Sequence, residues 1–221
     1  MFSWPLYIVS ALLFRAFGGE LQNQQEVTYQ SIRIGEQVWM DENLNTATFR
    51  NGDIIPEART RSEWQQAFFD KRPACCYYGN DPANGETYGR LYNWFAVNDS
   101  RGLAPAGWHV PSDAEWQQLT NYLGGGGDAG LKMKNSSGWR EDGNGTNESQ
   151  FSGLPGGACA DDGYLGSIGY LGVWWSATTD TSYYYDASAY AWYRYLYYSK
   201  GEIIRYSHSK GNGFAVRCLK D

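Results

Sequence analysis

Tyr190-Ala-Trp-Tyr-Arg-Tyr-Leu-Tyr-Tyr-Ser-Lys-Gly-Glu-Ile-Ile-Arg-Tyr-Ser-His-Ser209 is the stretch from which the rest of the chain can be read. Side chains along a strand point alternately to opposite faces of the sheet. Over Tyr190–Tyr198 this puts Tyr190, Trp192, Arg194 and Leu196 on one face and Tyr193, Tyr195 and Tyr197 on the other. Lys200-Gly201 turns the chain and Glu202–Tyr206 returns it, so the stretch predicts an antiparallel hairpin. Further on, Phe214, Val216 and Cys218 alternate along a last strand and share a face toward the core.

The same region suggests what the hairpin is for. Residues 183–209 hold nine of the chain's eighteen tyrosines, interleaved with Ser, Asp, His, Ala and Lys. Tyrosine among small polar residues is the composition of recognition loops, because the ring gives rigid contact area at low rotamer cost. Tyr193, Tyr195, Tyr197, Ser199, Tyr206, Ser207, His208 and Ser209 are therefore the candidate ligand-binding residues, with the tyrosines directed to solvent. The competing reading is packing, since tyrosine has high strand propensity and cross-strand aromatic pairs stabilise sheets. That reading would bury many hydroxyls, each needing a partner.

Upstream, Ser31–Ile34 and Gln37–Met40 read as strands joined across Gly35-Glu36. Thr60–Phe69 reads as a helix, with Trp64, Ala67 and Phe68 at i, i+3 and i+4. Leu91–Val97 fits either a helical turn or a short buried strand. In Pro111-Ser-Asp-Ala-Glu115, Ser112 is an N-cap with Glu115 as its partner three residues on, a capping box. Trp116, Leu119 and Leu123 then form the apolar stripe of a second helix, and Gly124–Gly127 stops it. Residues 138–172 are glycine-studded loop with brief strands, and Trp174-Trp-Ser-Ala177 opens the final sheet. No internal repeat occurs. Two helices early and antiparallel sheet late give an α+β fold with a twisted sheet and glycine-rich loops.

Composition narrows the function classes. Net charge is −6, which leaves no basic stripe for nucleic acid and no attraction to an anionic membrane. Leu6–Phe14 is too short to span a bilayer, which takes ~20 residues. It resembles the apolar stretch of a secretory signal, with Ala16-Phe17-Gly18 as a cleavage site, although no Lys or Arg precedes it. Residues 1–19 are thus read as a leader and 20–221 as one domain, secreted or displayed on a bacterial surface or a virion. An exported chain pairs cysteines. Of Cys75, Cys76, Cys159 and Cys218, the expected pair is Cys159–Cys218, both in the C-terminal half; buried free thiols are the alternative. N-x-[S/T] sequons stand at Asn98, Asn135, Asn144 and Asn147.

Seven phrases follow one another in a fixed order: Gln37-Val-Trp-Met-Asp-Glu-Asn-Leu44, Tyr88-Gly-Arg-Leu-Tyr-Asn-Trp94, Gly107-Trp-His-Val-Pro-Ser-Asp-Ala-Glu-Trp116, Leu154-Pro-Gly-Gly157, Trp174-Trp-Ser-Ala177, Ala191-Trp-Tyr-Arg194 and Gly213-Phe-Ala-Val-Arg-Cys-Leu-Lys220. Over residues 28–221 they closely resemble the Fibrobacter succinogenes major paralogous domain, a family of bacterial secreted and surface proteins and of phage proteins. The resemblance implies a C-type lectin-like fold of the branch shared with the formylglycine-generating enzyme, and no established catalytic activity. The chain is also similar to the variable proteins of diversity-generating retroelements, in which adenine randomisation turns Asn codons toward Tyr, Ser, Asp, His, Ala, Gly and Ile. That resemblance implies a hypervariable surface at Tyr193, Tyr195, Tyr197, Ser199, Ile204 and Tyr206–Ser209, with Trp192, Arg194, Leu196, Gly201, Arg205 and Gly213-Phe214 as framework.

Other chemistry is thinly represented. Trp94, Trp108, Trp116, Trp139, Trp174, Trp175 and Trp192 offer rings that could stack on sugars, but core packing is the stronger reading for most of them. The Glu-Pro-Asn or Gln-Pro-Asp and Trp-Asn-Asp tripeptides of calcium-dependent sugar binding are absent. No cofactor is expected; a structural calcium ion at Asp161-Asp162 beside Gly163 is the one candidate, set against an ordinary solvated loop. No nucleophile elbow or H-E-x-x-H pair occurs. Arg217-Cys218 resembles the formylglycine-generating context, but the second cysteine at the matching spacing is missing. The expectation is a binding module for a protein or glycan on another cell. The alternatives are a structural subunit of a surface appendage or phage tail, or a degenerate relative of that oxidase.

Overall fold

The computed structural model describes residues 29–182 and 188–221. The leader expected at residues 1–19 and the tyrosines Tyr183–Tyr185 lie outside the described residues.

The chain opens with β1 (Ser31–Ile34) and β2 (Gln37–Met40), paired antiparallel so that Ile34 faces Gln37. The turn between them needs Gly35, whose φ of 62° lies in the left-handed region that glycine adopts without penalty. Helix α1 (Arg61–Phe69) follows, buries Trp64 and Ala67, and starts on a capping box in which Thr60 and Glu63 exchange hydrogen bonds. Next come β3 (Cys75–Cys76), a 3-10 turn at Tyr78–Asn80, α2 (Pro82–Tyr88), β4 (Leu91–Asn93) and α3 (Trp94–Val97). Leu91–Val97 is therefore strand and helix in succession. Asn93 makes the switch, its side chain accepting from the Ala96 amide as an N-cap.

Strand β5 (Trp108–His109) leads to α4 (Asp113–Tyr122), which carries the Ser112–Glu115 capping box and buries Trp116 and Leu119 with Leu123 just beyond. Helix α5 (Ala129–Met133) precedes β6 (Gly156–Cys159), β7 (Leu165–Ile168), β8 (Leu171–Thr179), β9 (Tyr190–Tyr197), β10 (Ile203–Ser209), β11 (Gly213–Phe214) and β12 (Leu219–Lys220). Among the described residues five α-helices stand where two were expected. The three additional ones span seven residues or fewer, too short to show helical periodicity.

The strands form three sheets, in the orders β1-β2-β12-β5, β10-β9-β8 and β3-β4-β11-β6-β7, and every named strand pair is antiparallel. The C-terminal segment links them. Gly213 pairs with Asn93 and Cys159, Ala215 bridges to Trp174, and Leu219 pairs with Trp39 and His109. Every residue from Gly211 to Leu219 is buried. Gly213 has no room for a side chain: a Cβ there would lie 2.7 Å from the Trp64 ring and 2.9 Å from Cys159 Cβ.

One core cluster stacks Trp39, Trp116, Phe151 and Trp174, with ring centroids 4.8–6.4 Å apart. A second holds Tyr92, Trp94, Trp108, Trp175, Phe214, Val216 and Cys218, and a smaller one gathers Ala58, Trp64, Ala67, Ala74, Cys76, Leu91 and Cys159 around α1. Trp94, Trp108, Trp116, Trp139, Trp174 and Trp175 are all interior, which leaves Trp192 as the half-buried member of the seven sugar-stacking candidates.

The expected Cys159–Cys218 disulfide is absent: all four cysteines are free and buried. Their cores explain it, since Cys218 points into the second cluster and Cys159 into the smaller one. Lying in the same half of the sequence did not bring them together.

Candidate ligand-binding site

The cross-strand register sorts the tyrosine hairpin into two faces. Tyr193 sits opposite Tyr206 and Trp175, Tyr195 opposite Ile204 and Val173, and Tyr197 opposite Leu171. Directly opposed residues share a face. Tyr193, Tyr195, Tyr197, Tyr206 and His208 therefore project together, as the alternation predicts.

Their exposure differs along that face. Tyr206 is 56% and Tyr197 37% exposed, whereas Tyr193 and Tyr195 lean on the second core cluster. Tyr193 packs 4.8 Å from Phe214 and 6.1 Å from Trp175 by ring centroid, and stacks on Tyr195 at 5.8 Å. Burial pushes the Tyr193 phenol well above its ordinary pKa, with Tyr195 and Tyr206 adding to it. The expectation that Tyr193 and Tyr195 stand free in solvent is thus corrected: each anchors one edge in the core and presents the other.

In front of these rings lies a cleft of about 270 Å³. Tyr193, Tyr195 and His208 form one side and Ala158, Tyr164 and Ser167 of the β6–β7 region the other, over a floor of Leu171, Val173 and Phe214. Asn212 closes one end, its Nδ2 lying 2.6 Å from His208 Nδ1. A predominantly apolar floor with a few convergent polar groups is the ordinary form of a ligand site.

The opposite face holds the hairpin to the body. Arg194, 1% exposed, donates from Nη1 to Asp113 Oδ1 at 2.7 Å, and Arg205 Nε donates to the same carboxylate at 3.0 Å. Burial works against the Asp113 charge, but the two guanidinium hydrogen bonds outweigh it and lower the pKa. Arg205 also lies 3.3 Å above the Trp192 ring, a cation–π contact. Ser207 and Ser209 belong to this side, opposite Trp192 and Tyr190. Ser207 is 7% exposed and its hydroxyl hydrogen-bonds Asp180. The register thus separates these two serines from the tyrosine rings, and Ser199 is exposed in the β9–β10 turn.

The turn is fixed from beneath. Lys134 Nζ donates to the carbonyls of Tyr198, Lys200 and Gly143 at 2.9, 2.8 and 3.2 Å. Burial pulls its pKa down to about 8. The sequence reading missed Lys134 and Asp113 as supports of the site, and missed the β6–β7 side of the cleft. Two arginines eleven positions apart on a hairpin carry no signal of their own, but a carboxylate at Asp113 suits the first turn of a capped helix, whose N-terminus stabilises the negative charge that the arginines then meet.

The remaining candidates are placed as follows. His109 joins two carboxylates, with Nδ1 2.7 Å from Asp221 Oδ1 and Nε2 3.0 Å from Glu115 Oε1. Asp162 accepts from the Tyr164 amide at 2.8 Å and pairs with Arg61, so its oxygens are engaged in the turn. Among the described residues no group of three or more His, Cys, Asp or Glu side chains is arranged to hold a metal ion. Burial pushes the Cys218 thiol up to about 12. No helix of the described residues is long and apolar enough to cross a membrane.

Fold and cleft together define a glycine-rich α+β domain with a tryptophan core, whose tyrosine hairpin overhangs an apolar cleft. The chain belongs to the Fibrobacter succinogenes major domain family, whose model matches residues 32–220. No curated protein and no solved structure matches it.

Proposed function

We propose that this domain is an extracellular binding module of C-type lectin-like architecture, and that its ligand is a protein that inserts an apolar side chain into the tyrosine cleft. The observation that carries this is the cleft itself: Tyr193 and Tyr195 flank a floor of Leu171, Val173 and Phe214, with Tyr206 exposed beside them on the same face. Half-embedded aromatic rings around an apolar pocket are what interface anchors look like. Tyrosine contributes area without much rotamer loss. The floor has no array of polar side chains to match sugar hydroxyls, which favours an apolar protein group over a glycan.

Framework and display are separable on this hairpin. Arg194, Leu196 and Arg205 hold it from behind, so exposed front residues such as Tyr197 and Tyr206 can change with little effect on the fold. That division suits a surface diversified by a retroelement, in a protein secreted or displayed on a bacterium or virion. A reverse-transcriptase gene nearby, with an adenine-rich near-copy of the 3′ coding sequence, would establish diversification.

Binding is tested by nuclear magnetic resonance titration with p-cresol, indole and methyl glycosides as probes. The aromatic probes should shift Leu171, Val173 and Ala158 and lose that effect in Tyr195→Ala. Shifts produced by the glycosides alone would replace the protein ligand with a glycan. No shift at the cleft with any probe removes the proposal.

A further inference from the structure

The turn from β10 into β11 is tied to the side chain that β10 contributes to the tyrosine cleft. The Ser209 carbonyl accepts from the Asn212 amide at 3.0 Å and from Asn212 Nδ2 at 2.9 Å. A carbonyl only accepts, so the Asn212 side-chain atom that faces it is the nitrogen, which fixes the orientation of that amide. The second hydrogen on Nδ2 is left for His208 Nδ1, 2.6 Å away. The Ser209 amide donates to the same ring nitrogen at 2.9 Å. With two donors converging on it, Nδ1 must offer its lone pair, and the ring's single proton sits on Nε2. Asn212 is 4% exposed, so the ring is held from inside the molecule. Among the described residues no group bonds Nε2.

We propose that His208 is a specificity-determining residue of the tyrosine cleft, and that its Nε2–H donates to an uncharged carbonyl of the ligand, the backbone carbonyl of the residue whose side chain fills the cleft. The inference rests on the reading of this cleft as a binding site and adds to it the polarity that the bound segment must match.

The chemistry of the cleft selects that acceptor. The hydroxyls of Tyr164, Ser167, Tyr193 and Tyr195, which line it with His208, rotate and serve as donor or acceptor alike. His208 Nε2–H donates and cannot accept. Among the described residues no Asp, Glu, Lys or Arg lines the cleft. A ligand carboxylate would therefore lose its hydration over Leu171, Val173 and Phe214 with no cation to receive it. An amide carbonyl costs far less to bring there and is satisfied by one N–H. The site thus asks for an apolar side chain with a neutral acceptor close by, which every residue of a protein chain carries in its own backbone.

The test has two parts, both on the full chain. Imidazole ¹⁵N resonances separate a protonated nitrogen from a bare one, and comparison with His109→Gln, which leaves His208 as the only histidine, assigns them. His208 should show a bare Nδ1 and a protonated Nε2. The second part titrates three probes that share one ring: p-cresol, 4-hydroxyphenylacetamide and 4-hydroxyphenylacetate. The amide should bind more tightly than p-cresol by about three- to tenfold, the net value of one hydrogen bond, and should move the Nε2 resonance where p-cresol does not. The carboxylate should gain nothing. In His208→Phe the ratio between amide and p-cresol should fall to about one; a ratio is indifferent to any change that the two probes share. A proton on Nδ1 overturns the proposal before any probe is added. So does an amide that binds no better than p-cresol or leaves Nε2 unmoved, and p-cresol binding in that case keeps the apolar cleft as a binding site. A carboxylate that outbinds the amide replaces the neutral acceptor with an anion. No binding by any probe removes this inference together with the reading it rests on.

Discussion

At the scale of single residues, the interior is organised by a few polar side chains that serve several partners at once. Asn43 is the plainest case. Its Oδ1 accepts from Trp174 Nε1 at 2.7 Å and from Arg217 Nη2 at 2.8 Å, while its Nδ2 donates to the Tyr88 carbonyl at 2.8 Å. Arg217 is 1% exposed and reaches carbonyls of Asp41 and Phe151 instead of a carboxylate; burial lowers its pKa to about 9. Asn43→Ala would strand an indole N–H, part of a guanidinium and a carbonyl together. Each unsatisfied buried group costs about 1–3 kcal/mol, so a loss of ~3 kcal/mol or more is expected in urea unfolding. The tyrosines divide by the same reasoning. Tyr193→Ala removes a ring wedged against Phe214 and Trp175 and should cost about 2–3 kcal/mol. Tyr206→Ala, at a largely exposed position, should stay within ~0.5 kcal/mol of the parent. Equal losses in the two variants would mean that Tyr193 is no more embedded in the core than Tyr206.

At the scale of elements, α4 is the hub, and it was largely legible. Pro111-Ser-Asp-Ala-Glu115 announces a cap, and Trp116, Leu119 and Leu123 announce a buried stripe, because both signals are local. The alternation over Tyr190–Tyr198 gave the faces of β9 for the same reason. What the sequence did not disclose depends on contacts distant along the chain: Arg194 and Arg205 converging on Asp113, Lys134 beneath the β9–β10 turn, and the β6–β7 side of the cleft. The expected Cys159–Cys218 pairing failed likewise, since the fold carries the two cysteines into different core clusters. Two pH effects arise at the N-terminal end of α4. Asp113 is held below its ordinary pKa by its arginines, so its contribution is present above the unfolded value of ~3.9 and is lost as pH falls through the folded one. His109 is the reverse case. Burial disfavours its charge, but the bonds to Asp221 and Glu115 prevail and raise its pKa above 6.5. Its contribution is complete below that value and disappears as pH rises through the folded pKa. Since His109 is well exposed, the effect is at most ~1 kcal/mol. His109→Gln should flatten the stability profile on the neutral side, and Asp113→Asn on the acid side, in urea midpoints measured across pH.

At the scale of the whole molecule, one segment closes the structure. Residues 213–220 add a strand between β4 and β6, bridge to β8 at Ala215, and add another strand between β2 and β5. The amides of Met40 and Leu44 donate to the carbonyls of Cys218 and Val216 at 3.0 and 2.8 Å, so the segment also satisfies the backbone of the N-terminal hairpin and the loop after it. Without it β2 loses a neighbour, β4 and β6 have none between them, and Trp39 and Trp174 lose Leu219 and Ala215 from their cluster. Helices α1 and α4 carry their own caps and depend on it least. A chain ending at Asn212 should therefore keep part of its helical far-ultraviolet circular dichroism while losing the near-ultraviolet bands of the packed tryptophans. The denaturant dependence of its unfolding should also be shallow, because that slope follows the surface exposed on unfolding. A truncated chain with native near-ultraviolet bands and a steep, cooperative transition would show that the sheets close without their last strand. The tyrosine hairpin would then owe its placement to β8, Asp113 and Lys134.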